Sequence, residues 1–179
     1  MLKKYLVFIV LLIAGCAEVP DSVRVVDGFR LDRFLGTWHE IARSDNSFEK
    51  NLDRVSAEYS VDDSGRISIM NKGYDVELER WRFRRGKAHL SGDKTMGALK
   101  VSFFGSFYSE YNIIALDKEH YSWAIACGRD RSMFWILSRE PVIDKALMKR
   151  LAAKADSLGF DTTKLRYSGY SGKPKDGGN

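Results

Sequence analysis

Phe34-Leu35-Gly36-Thr37-Trp38-His39-Glu40-Ile41-Ala42-Arg43 is the stretch from which the rest of the chain is read. A glycine two residues ahead of a tryptophan, leading into alternating residues, predicts a tight approach to a strand whose first large side chain plugs a core. Alternation puts Trp38, Glu40 and Ala42 on one face and His39, Ile41 and Arg43 on the other. Far along the chain, Trp135-Ile136-Leu137-Ser138-Arg139 ends a strong strand in arginine just before Glu140-Pro141. A planar guanidinium laid over the Trp38 indole contributes about 0.5 to 2 kcal/mol, depending on desolvation. Gly36, Trp38 and Arg139 are therefore expected to join the first strand to the last and close a barrel.

Between these two stretches the chain is a succession of short β-rich runs separated by turn residues. Val55, Ala57, Tyr59 and Val61 share one face of a run that ends in the hairpin turn Asp62-Asp63-Ser64-Gly65. Ile67, Ile69, Asn71 and Gly73 continue the inward set. The run 81–90 follows, with Arg80, Arg82 and Arg84 expected to project outward between Trp81 and Phe83. In 98–104, Leu99, Val101 and Phe103 alternate against Lys100 and Ser102, and 107–117, 123–128 and 133–139 complete about eight strands. Spacing this regular predicts an up-and-down antiparallel barrel or a sandwich. Residues 144–158 break the pattern with Leu147, Leu151, Ala155 and Leu158 at helical spacing before Gly159, an amphipathic helix suited to the outside of the sheet.

These motifs resemble the lipocalin family. The run from Phe34 to Arg43, Asn71-Lys72-Gly73-Tyr74, Leu99-Lys100-Val101-Ser102-Phe103-Phe104-Gly105 and Tyr111-Asn112-Ile113-Ile114-Ala115-Leu116-Asp117 are similar to the bacterial outer-membrane lipoprotein lipocalins and their apolipoprotein D relatives. The resemblance departs at His39, where that subgroup usually has tyrosine, and at Ala115-Leu116-Asp117, where many lipocalins carry Thr-Asp-Tyr. It implies an eight-stranded up-and-down antiparallel β-barrel with one C-terminal helix packed outside.

The N-terminus bears on compartment. Met1-Leu2-Lys3-Lys4 is a basic segment followed by an apolar run of about ten residues, the length of a signal peptide core and short for a membrane span. Ile13-Ala14-Gly15-Cys16 looks like a bacterial lipobox, in which Cys16 would be acylated and become the first mature residue. Several acyl chains, at about 0.8 kcal/mol per buried methylene, hold a protein to a bilayer stably. Ala17 after the cysteine implies, by the enterobacterial sorting pattern, the outer membrane and its periplasmic face. The expected partition is a leader at 1–15, a lipidated tether at 16–27, the barrel domain at 28–170 and a tail at 171–179. The formal charge of +5 would fall to +3 without Lys3 and Lys4, too mild and dispersed to suggest nucleic acid. With Cys16 lipidated, Cys127 is left as an unpaired thiol, expected buried under the helix.

No constellation in the sequence suggests catalysis, a metal site or a cofactor. His39, His89 and His120 lie far apart, and neither a Gly-x-Ser-x-Gly elbow nor a phosphate-binding glycine loop occurs. Glu40 is the single carboxylate placed inside, expected to be paired or hydrogen-bonded. Small inward residues leave room in a barrel of this size. Ala42, Ala57, Gly73, Ala124 and Ala126 supply that space, while Val55, Tyr59, Ile69, Val101, Phe103, Trp135 and Leu137 supply apolar walls. Such a lining suits the acyl chain of a fatty acid or lysophospholipid. Fifteen methylenes transferred completely contribute about 12 kcal/mol, which ordering and headgroup desolvation reduce to roughly micromolar binding. The aromatic run Phe103-Phe104-Gly105-Ser106-Phe107-Tyr108 suggests a contact surface, with a homodimer through Phe104, Phe107 and Tyr108 as the first expectation. A lipid carrier is thus the leading reading. A lipocalin-fold enzyme using Glu40 and a structural envelope lipoprotein with a filled barrel are the alternatives.

Overall fold

The computed structural model describes residues 24–169; Cys16 and the segments 1–15 and 171–179 lie outside them. Strands β1 (Gly36–Arg43), β2 (Leu52–Val61), β3 (Ile67–Asp75), β4 (Arg80–Leu90), β5 (Ala98–Phe104), β6 (Phe107–Leu116), β7 (Trp123–Cys127) and β8 (Phe134–Ser138) pair antiparallel with their sequence neighbours. β1 pairs with β2 on one side and β8 on the other, through Trp38 opposite Ala57 and Glu40 opposite Leu137, and this double pairing closes the eight-stranded barrel. Closure removes the exposed edges that an open sheet would present. A short β9 (Arg166–Tyr167) adds to the end of β1.

One end of the barrel is sealed. The single helical turn α1 (Leu31–Phe34) carries Phe34 into the base, where its ring stacks on Trp38 at 4.9 Å and meets Tyr59 edge-on at 5.2 Å. The Trp38 Nε1 donates to the Phe34 carbonyl at 2.8 Å. Arg139 also lies over the indole, with Cζ 3.9 Å from the ring centre. Its Nη1 donates to the Thr37 carbonyl at 2.8 Å and its Nη2 to the Arg33 carbonyl at 2.7 Å. Gly36 has φ +91°, a backbone conformation that favours glycine, and it lies directly beside the Arg139 guanidinium. β1 runs away from this plug, so the loops 44–51, 76–79, 105–106 and 128–133 surround the opposite, open end.

The helix α2 (Lys145–Ser157) packs outside. Asp144 caps it by accepting from the Leu147 N–H at 2.8 Å. Its buried residues Leu151 and Ala155 join Ile41, Ile125, Cys127, Phe134, Ile136 and Phe160 in an outer core, separate from the inner core around Trp38. The described residues close their own hydrogen-bond ladder around both cores, which is what a segment that can fold as a unit requires.

Two expectations of facing are corrected. Ala42 does not face the interior: the β1–β8 register shifts between Glu40 and Ala42, and this bulge places Ile41 and Ala42 together in the outer core and turns Arg43 inward. On β4 the outward assignment of Arg80, Arg82 and Arg84 is reversed. Gly73 pairs with Arg82 and Asn71 with Arg84, in line with inward Ile69 and Ile67 opposite Gly86 and Ala88. Trp81 and Phe83 therefore occupy the outer face, where Trp81 packs edge-on against Tyr74 and Lys72 Nζ sits 4.3 Å above its ring.

Candidate functional site

Above the Trp38 plug the barrel holds a cavity of about 350 Å³ with a predominantly apolar wall. Its size lies within the range of small-molecule sites. Val55, Ala57 and Tyr59 come from β2, Ile69 from β3, Val101 and Phe103 from β5, and Trp135 and Leu137 from β8. The expected lining residues Val55, Ala57, Tyr59, Ile69, Val101, Phe103, Trp135 and Leu137 are thus gathered around one space. Ala124 and Ala126 are inward but do not reach it; they are fully buried in the inner core, paired with Leu137 and Trp135. Ala42 is excluded by the bulge already described.

Phe103 reaches its place because β4 has a glycine beneath it. A Cβ on Gly86 would fall 2.6 Å from the Phe103 ring. Phe104, Phe107 and Met133 line the opening, and Phe107 is 85% exposed. The aromatic hairpin tip is therefore part of the mouth. Tyr111, Asn71, Glu49 and Glu110 also line the cavity. Tyr111 was within reach of alternation, being two residues before inward Ile113, whereas Glu49 comes from the loop after β1 and had no periodic signal.

A second, smaller space of about 230 Å³ adjoins the first at the open end. Glu49, Val55 and Asn71 belong to the walls of both. The remaining wall mixes Leu52 and Phe83 with the charged Lys50, Asp75, Arg82 and Arg84.

A chain of this architecture has known counterparts. Residues 29–169 match the model of the lipocalin-like domain. The chain belongs to the lipocalin family. This lipocalin is 48% identical over 156 residues to the outer membrane lipoprotein Blc of Citrobacter freundii, covering 86% of this chain and 88% of the relative. It is 41% identical over 163 residues to the protein of the same name in Vibrio cholerae, covering 91% and 95%. Among solved structures, insecticyanin of the tobacco hornworm Manduca sexta superposes with a TM-score of 0.67 at 24% identity, over 84% of this chain and 85% of that one.

The polar side of the lipocalin cavity is built on the inward turn of Arg43. Arg43 Nη1 donates to Glu40 Oε1, and Nη2 donates to the carbonyls of Glu49 at 2.8 Å and Leu52 at 2.7 Å. The Glu49 carboxylate accepts from Trp135 Nε1 at 3.0 Å and Asn46 Nδ2 at 3.1 Å. One buried guanidinium thus pins the loop after β1 across the barrel wall. Burial, then the neighbouring Glu49 carboxylate, pushes Glu40 up to about 8 against the pull of Arg43. Tyr59 and Tyr111 share a hydrogen bond inside the cavity, and burial raises both phenols, Tyr59 to about 12. The result is an apolar container with neutral phenols and a largely self-satisfied charge network at its edge. Among the described residues, no group of three or more His, Cys, Asp and Glu side chains is arranged to hold a metal ion.

Proposed function

We propose that this lipocalin is a lipid carrier that holds a single-chain lipid, a fatty acid or lysophospholipid, in the barrel cavity. The observation that carries this reading is the cavity itself, about 350 Å³, walled by aliphatic and aromatic side chains above a sealed base. An acyl chain entering from the open end exchanges water for that wall at about 0.8 kcal/mol per methylene. Carriage is favoured over turnover because the interior carboxylate Glu40 is committed to Arg43.

The relatives named outer membrane lipoprotein support a setting at the bacterial outer membrane. In this reading 1–15 is a leader, Cys16 is acylated, 16–27 tethers the domain at 28–170, and lipid storage, transport or envelope maintenance follows on the periplasmic face. The exposed side chains of Phe104, Phe107 and Tyr108 offer a surface for a second copy, which sedimentation across a concentration range tests.

The direct test uses protein lacking residues 1–16, stripped of co-purified lipid and loaded with a fluorescent fatty acid. Unlabelled palmitate and lysophospholipids are expected to displace the probe with dissociation constants of roughly micromolar order. Absence of saturable displacement at roughly tens of micromolar removes the lipid-carrier reading. Mass spectrometry of lipid retained through gentle purification identifies the natural cargo.

A further inference from the structure

Holding a cargo inside the barrel does not explain the outer wall of β3 and β4. Their register sets Tyr74 beside Trp81, Lys72 beside Phe83, Met70 beside Arg85 and Ser68 beside Lys87, all on the outer face. Across the barrel, α2 covers the apolar outer residues of β1, β7 and β8. On β4, among the described residues, nothing covers Trp81 and Phe83, which are 37% and 64% exposed. Adjacent exposed rings of this size are unfavourable in water unless another surface receives them.

Cations are set among these rings. Lys72 Nζ stands 4.3 Å from the Trp81 ring centre and 6.0 Å from that of Phe83, and Lys87 Nζ stands 5.5 Å from that of Tyr108. At the β2 margin Arg54 lies 4.3 Å over Tyr74 and faces Asp53 at 4.0 Å, and Glu58 stands opposite Met70. Among the described residues, Lys72, Arg85 and Lys87 have no carboxylate at ion-pair distance, so the middle of the wall is net positive. A second copy would bring the same charge against it and be repelled. A headgroup layer of anionic phospholipid suits both components, because rings sit at the boundary of the acyl region while the cations reach phosphate. The entry of the chain agrees. The Val26 N–H donates to the Ile113 carbonyl and its carbonyl accepts from the Gly97 N–H, each at 2.8 Å, so the chain joins the barrel beneath β5 and β6, beside this wall and away from α2. Residues 17–23 span about 25 Å at full extension, enough to meet a bilayer on which the barrel lies by this wall.

We propose that the outer wall of β3 and β4 is a second membrane contact, in which Trp81 and Phe83 enter the headgroup region of an anionic phospholipid bilayer and Lys72, Arg85 and Lys87 pair with its phosphates. The barrel then lies on its side, with α2 turned to water. This rests on the acylated, membrane-anchored setting proposed above and is independent of what the cavity holds. Acylation confines the protein to a bilayer without orienting it, and the wall supplies the orientation. Each cation held near an anionic surface strengthens the contact about fivefold at moderate salt, so three of them with two rings are enough to bias a domain already tethered there.

The experiment uses the full chain, expressed in bacteria and reconstituted into vesicles of phosphatidylcholine alone or mixed with phosphatidylglycerol. A membrane-impermeant amine reagent, read by mass spectrometry, compares Lys72 and Lys87 with Lys149 and Lys154, which stand exposed on α2. In the anionic vesicles Lys72 and Lys87 are expected to lose about fivefold in reactivity relative to the α2 lysines, and to regain it in high salt. Trp81→Gln with Phe83→Gln, both exposed positions, is expected to restore the reactivity of Lys87, and Arg85→Gln to restore it in part. Lys149→Gln is expected to leave the protection of Lys87 unchanged. Phosphatidylglycerol brominated on its acyl chains is expected to quench the tryptophan emission of the unaltered protein more than that of Trp81→Phe. Equal reactivity of all four lysines in anionic vesicles, or protection that survives both high salt and the double variant, overturns the wall contact and leaves the acyl anchor standing. Protection that disappears when the protein is diluted within the bilayer assigns the wall to a second copy and also overturns it. Failure of the full chain to float with vesicles of either composition overturns the anchored setting as well.

Discussion

Removing the Arg139 side chain separates what holds the barrel shut from what its cavity binds. In Arg139→Ala the stack on Trp38, at 3.9 Å, disappears together with donations to the carbonyls of Thr37, Arg33 and Tyr121. The cation–π contact contributes about 1 to 2 kcal/mol when partly desolvated. Each charged donor contributes about 1 kcal/mol net, and water recovers part of this because the site is half-buried. The total loss is about 3 kcal/mol. For a domain of this size, each kcal/mol lowers the melting temperature by about 2 to 4 °C, so the expected fall is about 6 to 12 °C. Arg139→Lys keeps a charge but not the planar fork, and is expected to lose about half as much. The assay pairs thermal melts by circular dichroism with fluorescent fatty acid titration, and affinity should change less than about twofold because Arg139 lies at the sealed end. An unchanged melting temperature, or lost lipid binding at an unchanged melting temperature, would refute the division between clasp and cavity.

Other outcomes follow from the same geometry. Ala57→Trp, which fills the cavity, is expected to weaken lipid binding while the barrel stays folded at an overpacking cost of about 1 to 3 kcal/mol; Ala126→Trp, in a filled core, should depress the melting temperature much further, and titrations with melts on both variants check this. Glu40 has a folded pKa of about 8, above its ordinary value, so the folded state binds its proton more tightly. Its contribution is therefore fully present below pH of about 4.3 and is lost as pH rises toward 8, an effect on the order of a few kcal/mol. Urea unfolding at pH 5 and pH 8 should show that Glu40→Gln removes this difference relative to the unaltered protein; an identical pH dependence in both proteins contradicts it. Burial pushes the Cys127 thiol up to about 12, so in protein lacking residues 1–16 a thiol reagent at pH 8 should label it only after denaturant is added.

How much of this lay in the sequence differs from element to element. The inward set Ala57, Tyr59 and Ile69 followed from alternation because β2 and β3 are regular there, with Ala57 opposite Asn71 and Tyr59 opposite Ile69; Val55 lines the cavity although the β2–β3 register shifts between Asp53 and Ser56. The clasp of Gly36, Trp38 and Arg139 was legible because only a few residue types satisfy a positive φ, a plugging indole and a planar cation at those places. Helix α2 was legible from its apolar stripe and from Gly159, which ends it at φ +85°, whereas the Asp144 cap emerged only in the structure.

Three matters were decided only by the tertiary structure. A bulge is an extra residue in one strand relative to its partner, so the outward turn of Ala42 and the inward turn of Arg43 depend on β8 as much as on β1. The facing of β4 is imposed by its pairing with β3. Near an open mouth the interior is wet, so the usual rule that apolar side chains point inward fails, and Arg82 and Arg84 face in while Trp81 and Phe83 face out. Whether a small inward residue opens space is decided by what packs against it. Local sequence fixes a side chain's period along a strand, but Ala57 borders the cavity and Ala126 lies in a filled core because those neighbours are brought together only when the barrel closes.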